Sequence, residues 1–176
     1  AFKKQGKTII GEAELGAMFL KANTVAVTGT NGKTTTVSML NSILTNSGLT
    51  SVACGNIGDP IINEVENLGI DDYAVIEISS FQLETLSSLR PHIAVITNIT
   101  EDHLNRHYNM ENYVFLKGKI LRNLKESEYA VLNYDDEVVR NFAKHTRAKP
   151  VYFSINTRID GAYYENGSIF FNGEKY

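Results

Sequence analysis

Apolar runs of strand length alternate with amphipathic segments of helix length along this chain. Six runs are continuous rather than alternating in polarity, which is typical of strands buried on both faces of a parallel sheet. They span residues 25–27, 51–54, 73–76, 93–96, 129–132 and 151–153. The segments between them predict helices over 34–47, 59–68, 112–124 and 135–144. The alternation predicts an α/β domain with a parallel sheet and helices on both faces.

Two regions depart from this alternation. Residues 1–23 form a segment that we expect to lead in from an N-terminal domain that this chain lacks, with a short helix near 12–20. Residues 162–164 and 169–171 are short aromatic runs on either side of Glu165-Asn166-Gly167, a typical hairpin turn. We therefore predict a main domain over 24–176 with a small antiparallel β hairpin near its C-terminus.

The composition limits the classes of function. The 176 residues include 17 basic and 20 acidic side chains, and the resulting net charge of −3 argues against a nucleic-acid-binding protein. Hydrophobic residues make up 43%, yet the apolar runs are too short to cross a membrane. Cys54 is the only cysteine, which excludes an internal disulfide framework and fits the cytoplasm. We expect a cytoplasmic monomer that binds neither nucleic acid nor membrane.

The sequence TGTNGKTTT, residues 28–36, lies between the first predicted strand and the helix that follows it. A glycine-rich turn in this position directs backbone N–H groups at a phosphate, and the helix dipole favours the negative charge. Lys33 would reach the β- and γ-phosphates, and the Thr34 hydroxyl would bind Mg²⁺. The strict P-loop pattern has a glycine where this chain has Val27, and a chance glycine-rich turn is the alternative. The motif predicts a P-loop-type sheet with a Mg-ATP site formed by Gly29, Thr30, Asn31, Gly32, Lys33, Thr34 and Thr35.

Two further candidates follow predicted strands. Glu77 ends the apolar run 73–76, where a carboxylate is costly unless it is paired or bound to a cation. In nucleotide-binding α/β proteins an acid in this position holds Mg²⁺ directly or through water, and the alternative is a side chain that faces solvent. The glycines of 54–58, CGNIG, allow close backbone approach, and Asn56 can both donate and accept hydrogen bonds. A plain turn remains open for this loop.

His103 and Lys117 are the remaining candidates. His103 follows the fourth strand and could be a metal ligand, a substrate contact or a loop histidine bonded to backbone. A zinc pair with His107 is disfavoured, because the residues between them do not look helical and no third ligand is apparent. Lys117 lies on the inward stripe of a predicted helix, whereas Lys119 points to water. The Lys117 side chain either extends to the surface or acts as an amine whose pKa is depressed.

Four of these five features follow strands. Because the carboxyl ends of parallel strands meet at one edge of a sheet, the four are expected at the same edge, where open α/β sheets bind ligands. Lys117 lies on the helix that comes after the His103 loop and could reach the same crevice. We therefore predict one site rather than five separate features.

These sequence blocks resemble those of the Mur ligases, which build the peptide stem of bacterial peptidoglycan. TGTNGKTTT resembles the ATP loop of that superfamily, which includes folylpolyglutamate synthases. The block EISSFQLE, residues 77–84, resembles the branch that adds D-glutamate, whereas the branch that adds the third residue usually has histidine in place of Phe81. The resemblance extends from about Ile10 to Tyr176. Its other blocks, in the same order, are GNIG at 55–58, NITEDH at 98–103, YVFLKGKI at 113–120 and NYDD at 133–136.

The resemblance implies an ATP-dependent amide ligase that joins D-glutamate to UDP-N-acetylmuramoyl-L-alanine through an acyl phosphate. It implies that Lys33 and the 29–32 backbone hold the transferring phosphate and that Thr34 and Glu77 bind a first Mg²⁺. His103 and Lys117 would serve a second Mg²⁺, and the lysine that matches Lys117 is carbamylated by CO₂ in the family. Asn56 and His103 would approach the UDP-sugar substrate.

Mur ligases have three domains, and residues 24–176 resemble the central ATPase domain, which we expect to be truncated at its C-terminal end. The UDP-binding and C-terminal domains and the HNxxN stretch near the adenine are not found in this chain. We expect the isolated chain to bind Mg-ATP weakly and to ligate nothing. The alternatives are another Mur or folylpolyglutamate-type ligase, a stand-alone P-loop ATPase and a non-catalytic nucleotide-binding module. The residues 81–84 argue against the first, and the variant loop argues against the second.

Overall fold

One sheet of nine strands organises the structure, a computed structural model that describes residues 5–6 and 8–176. The spatial order of the strands is β2-β3-β1-β4-β5-β6-β7-β8-β9. Every neighbouring pair from β2 to β7 is parallel, and β8 and β9 extend the sheet in antiparallel fashion. The strands are β1 Asn23–Thr28, β2 Ser51–Gly55, β3 Tyr73–Glu77, β4 Ile93–Ile96, β5 Tyr129–Asn133, β6 Lys149–Ser154, β7 Gly161–Glu165, β8 Ser168–Phe171 and β9 Glu174–Lys175.

The described residues form six α-helices, of which the first precedes β1 and the other five lie between successive strands. They are α1 Glu12–Phe19, α2 Lys33–Asn46, α3 Ser80–Thr85, α4 Leu104–His107, α5 Met110–Gly118 and α6 Glu137–Asn141. Short 3-10 turns occur at Ile61–Glu64, Lys119–Leu121 and Phe142–Lys144. In the part of the chain that the structure describes, no helix combines the length and the apolar character that crossing a bilayer requires.

Alternate side chains of the central strands build two cores. On one face Ala26, Ile76 and Ile96 pack with residues of α1, α3, α5 and α6. On the other face the valines at 25, 27, 75 and 95 pack against Val37, Leu40 and Leu44 of α2. Both faces of the central strands are therefore apolar, which explains the continuous runs in the sequence. The predicted α/β class, with a parallel sheet and helices on both faces, is confirmed.

The C-terminal hairpin is also confirmed, but it belongs to the main sheet. Strands β7 and β8 pair around the turn at 166–167, as the residues at the turn predict. Strand β7 also pairs in parallel with β6, with Tyr152 opposite Gly161. The hairpin therefore extends the central sheet rather than forming a separate unit.

The helix predicted over 59–68 is wrong. Only the 3-10 turn Ile61–Glu64 forms there. Asp59 does not cap this turn, because Pro60 holds the N-cap position and no side chain caps it; the Asp59 carbonyl instead accepts the Gly55 N–H at 2.9 Å. Ile61 is fully buried against α1, where a side chain on Gly16 would lie 2.7 Å from an Ile61 methyl. Tertiary packing therefore overrides the aspartate and proline signals of the local sequence.

Other helix predictions need smaller corrections. The helices predicted over 112–124 and 135–144 are α5 and α6, each ending in a 3-10 turn. Helices α3 and α4 were not predicted, and α4 includes the stretch before His107 that does not look helical in sequence. Lys119 does not point to water, because its Nζ donates to the carbonyls of Leu83 and, at 3.0 Å, Glu84 at the end of α3.

The predicted short helix near 12–20 is α1, and a buried carboxylate joins it to the segment between α3 and β4. Residues 1–4 and 7 of the predicted leading segment lie outside the described residues. Glu14 accepts hydrogen bonds of 2.7–2.9 Å from the backbone N–H and the hydroxyl groups of both Ser87 and Ser88. Burial raises the pKa of Glu14, but these four bonds outweigh it and lower the pKa from 4.5 to about 2.

We predict that Glu14→Gln lowers the free energy of unfolding at pH 7 by about 2 kcal/mol, because hydrogen bonds to a charged group are lost. Since the folded pKa lies below the unfolded one, this contribution is complete above 4.5 and is lost as the pH falls towards 2. Urea unfolding at several pH values measures the effect, and Glu12→Gln, which removes charge from one exposed bond to Ile62, is the control. The prediction would be contradicted if the difference in the free energy of unfolding between wild type and Glu14→Gln stayed the same as the pH falls.

Candidate active site

The loop between β1 and α2 brings backbone N–H groups to the carboxyl edge of the sheet. Gly29 has φ +148°, and a Cβ there would lie 1.9 Å from the Thr97 hydroxyl, so only glycine fits beside β4. Gly32 has φ +83° and lets the chain turn directly into α2, which begins at Lys33. The first turn of a 14-residue helix therefore opens onto this edge with N–H groups that have no partner within the helix.

The loop residues that were predicted to bind the nucleotide differ in how many of their polar groups are already hydrogen-bonded within the protein. The Thr30 hydroxyl is engaged with the Thr100 carbonyl at 3.1 Å and the Tyr113 hydroxyl at 3.2 Å. The Asn31 N–H donates to the side-chain oxygen of Asn98 at 2.9 Å. Lys33 lies across the loop, with its Nζ 2.7 Å from the Thr30 carbonyl. Phosphate-binding N–H groups are therefore expected from Gly32 onward, including Thr35, rather than from Asn31.

Glu77 joins the ends of three structural elements. Its side chain is 3% exposed, so the alternative in which it faces solvent does not hold. One carboxylate oxygen accepts the Thr34 hydroxyl of α2 at 2.6 Å, and the other accepts the Asn56 side-chain amide at 2.8 Å. The structure thus brings Thr34, Asn56 and Glu77 into direct contact.

Lys117 points inward from α5 and is 2% exposed, so it does not extend to the surface. Its Nζ donates to the Gly29 carbonyl at 2.6 Å and the Thr28 hydroxyl at 3.3 Å. Burial lowers the pKa of Lys117 to about 7, with a further decrease from Lys33, while Asp102 and Glu77 act in the opposite sense. A substantial fraction of this amine is therefore uncharged near neutral pH.

His103 lies farther out than the other predicted residues. It immediately precedes α4, at the N-cap position, with φ 51°, and its side chain is 48% exposed. Its Nε2 lies 3.4 Å from the Asp102 carboxylate, and its ring packs on Phe81 with centroids 5.1 Å apart. The described contacts do not join it to Lys117. No group of three His, Cys, Asp or Glu side chains arranged to hold a metal occurs in residues 5–6 and 8–176, so Mg²⁺ here would also need threonine, water or phosphate oxygens.

Sequence reasoning missed the side chains that hold the loop in place. Tyr113 is buried beneath it, contacts Thr30 through its hydroxyl and places its ring 5.2 Å from the Lys117 Nζ. Tyr113 lies on the same inward stripe of the predicted helix as Lys117, so the sequence pattern could have indicated that it is buried near the site. His107 is also buried, with Nε2 3.0 Å from the Ser80 hydroxyl, and burial lowers its pKa.

A glycine-rich loop after β1 and an acid at the end of the neighbouring strand β3 form the arrangement that is typical of nucleotide-binding α/β domains. The chain belongs to the Mur ligase middle domain family, whose pattern matches residues 27–175.

Relatives of known activity are similar to nearly all of this chain. It is 45% identical over 174 residues to the UDP-N-acetylmuramoylalanine–D-glutamate ligase of Caldanaerobacter subterraneus subsp. tengcongensis, covering 98% of this chain and 39% of the relative. The enzyme of the same name from Clostridioides difficile is 45% identical over 170 residues, covering 95% of this chain and 38% of the relative. The chain therefore spans less than two fifths of the length of these relatives.

Solved structures share the fold. A UDP-N-acetylmuramoyl-L-alanyl-D-glutamate–2,6-diaminopimelate ligase aligns with TM-score 0.74 at 20% identity over 94% of this chain and 42% of that one. The MurF ligase from Thermotoga maritima in complex with ADP aligns with TM-score 0.66 at 21% identity over 90% and 40%. At these identities the likeness is one of fold.

We predict that the stability of the chain without metal rises with pH relative to a Lys117→Met variant. Between a folded pKa of about 7 and an unfolded value of 10.5, only the unfolded chain keeps the Lys117 proton, so each pH unit favours the folded state. The expected gain is about 1 kcal/mol per pH unit over most of this interval. Urea unfolding from pH 7 upward measures it, with exposed Lys125→Met as the control, and a constant difference would contradict the prediction.

Proposed function

We propose that this chain is the ATP-binding domain of a ligase that activates a carboxylate with ATP and joins it to the amine of D-glutamate. The main support for this proposal is the buried Glu77 carboxylate, which lies beside the phosphate loop, residues 28–36. It accepts hydrogen bonds from Thr34 and Asn56. A buried carboxylate beside a threonine hydroxyl and a free helix N-terminus suits a cation that travels with phosphates.

The residues fit Mg-ATP on two independent grounds. Gly29 lies directly against Thr97, where any Cβ would clash with the hydroxyl, so backbone alone forms this part of the loop. The donors comprise the N–H groups from Gly32 to Thr35 and the Lys33 amine, while Thr34 and Glu77 supply hard oxygen ligands. We propose that Thr34 and Glu77 hold the first Mg²⁺, which would neutralise charge on the β- and γ-phosphates.

We further propose a second Mg²⁺ site that uses Lys117 and His103. An amine whose pKa is about 7 can react with CO₂ as the free base, and the carbamate formed would be an oxygen ligand instead of a cation. Carbamylation would also remove the cost of a buried positive charge beside Lys33. His103 would have to approach from its more exposed position, so this site depends on a rearrangement of the loop before α4.

In the proposed reaction the protein chiefly positions anionic groups. A carboxylate oxygen of UDP-N-acetylmuramoyl-L-alanine attacks the γ-phosphorus of ATP, the bond to the β-phosphate oxygen breaks, and ADP leaves. The D-glutamate amine then attacks the carbonyl carbon of the acyl phosphate, loses a proton, and phosphate leaves with the carboxylate oxygen. Lys33 and the loop N–H groups would hold the transferring phosphoryl group, and Asn56 and His103 would face the UDP-sugar.

The choice of D-glutamate rests on the relatives and on the block 77–84. Both relatives described above are D-glutamate ligases, at 45% identity each. Because the chain spans 39% and 38% of their lengths, we propose that UDP-sugar binding and amino-acid delivery belong to other parts of the whole protein. We also propose that the protein is a cytoplasmic monomer without nucleic-acid or membrane partners, and that the isolated chain binds Mg-ATP but does not ligate.

We predict that the full-length protein releases phosphate from Mg-ATP and UDP-N-acetylmuramoyl-L-alanine only when D-glutamate is present. L-glutamate, L-lysine and meso-diaminopimelate should support at most about a hundredth of that rate, since a missing or misplaced substrate contact costs several kcal/mol. Lys33→Ala should abolish release by weakening the hold on the transferring phosphate, while Lys125→Ala, an exposed lysine, should not.

Different outcomes would reject different parts of the proposal. Release with another amino acid would retain the ATP site and discard D-glutamate. Release without any acceptor would indicate an ATPase, and Mg-ATP binding unchanged by Lys33→Ala would mean that the loop is not the phosphate site.

A further inference from the structure

The loop after β4 continues the pairing of β1 and β4 past the ends of both strands. The Thr97 N–H donates to the Thr28 carbonyl at 3.0 Å, and the Thr30 N–H donates to the Asn98 carbonyl at 2.8 Å. Residues 97–98 therefore lie directly against the phosphate loop. Neither residue has a role in the proposed reaction.

The Asn98 side chain forms hydrogen bonds with both backbone groups of one residue in the phosphate loop, Asn31. Its oxygen accepts the Asn31 N–H at 2.9 Å, and its amide donates to the Asn31 carbonyl at 3.0 Å. The Thr97 hydroxyl donates to the same carbonyl at 2.7 Å. Both backbone groups of Asn31 are thus engaged by the neighbouring loop, which fixes the peptide bonds on either side of it.

These hydrogen bonds to Asn31 matter because the next residue, Gly32, has no side chain that could pack against neighbouring residues. A Cβ on Gly32 would meet nothing within 4 Å, and the residue has φ +83°. The direction of the Gly32 and Lys33 N–H groups therefore depends on two anchors, Asn31 on one side and helix α2 on the other. Only an asparagine side chain of this length supplies a donor and an acceptor together, and an aspartate or a leucine cannot.

We propose that Asn98 is a positioning residue that sets the phosphate loop in its anion-binding conformation. It acts through Asn31 and does not itself contact the nucleotide. Because Asn98 occupies the Asn31 N–H, the loop offers its N–H groups to phosphate from Gly32 onward. The inference rests on the proposed function, since it assigns a role within the same ATP site.

The test compares Asn98→Leu with Asn123→Leu in the full-length protein. Asn123 is a matched control because its side chain, like that of Asn98, makes two hydrogen bonds to backbone groups, here the carbonyls of Ser87 at 2.7 Å and Leu89 at 2.8 Å, at the other end of the sheet. We expect Asn98→Leu to raise the KM for ATP and the Kd for Mg-ADP by about tenfold, with the KM for the UDP-sugar unchanged. Asn123→Leu should lower the Tm without moving any of these constants.

A second variant keeps the proposal testable if Asn98→Leu fails to fold. Thr97→Val keeps the shape of the side chain and removes one of the two bonds to the Asn31 carbonyl, so the Kd for Mg-ADP should rise about threefold. An unchanged Kd in a folded variant, or an equal rise in the KM values of both substrates, would overturn the role of Asn98. A wild-type protein that binds no Mg-nucleotide would overturn the proposed function together with this inference.

Discussion

A buried carboxylate is the constraint on which the site depends. Glu77 ends β3 at 3% exposure and would be costly there without partners. Its two oxygens bind Thr34 at the start of α2 and Asn56 after β2, so one side chain joins the ends of three elements. The phosphate loop, the β2 loop and the acid are therefore held in one arrangement before any ligand arrives.

The second constraint is the charge placed opposite this carboxylate. Lys117 is buried on α5 close enough to Lys33 and Glu77 for both to affect its pKa. Burial is the main cause of this shift and the Lys33 charge adds to it, while the Asp102 and Glu77 carboxylates oppose both, so the uncharged form of Lys117 gains population.

The sequence predicted those parts of the fold that local chemistry determines. The buried strands were found because a short, continuous apolar run is typical of a strand covered on both faces, and the inward position of Lys117 followed from the stripe it shares with Tyr113. The helix over 59–68 was wrong because Ile61 packs against Gly16, a contact that no local pattern contains. The Asn98–Asn31 contact links residues 67 positions apart, so it could be predicted only by knowing how β1 and β4 pair in the sheet. The outward position of His103 depends on its φ of 51°, which its residue type does not specify.

If Glu77 organises a Mg-nucleotide site, the effect of Mg²⁺ on nucleotide binding must depend on the Glu77 carboxylate. Titration of ATP into the full-length protein, with and without Mg²⁺, should be repeated with Glu77→Gln and with Glu14→Gln, another buried glutamate that lies away from the site. We predict that Mg²⁺ strengthens ATP binding to the wild type and to Glu14→Gln by about tenfold or more, and that it leaves ATP binding to Glu77→Gln almost unchanged. An unchanged Mg²⁺ dependence in Glu77→Gln would contradict this prediction.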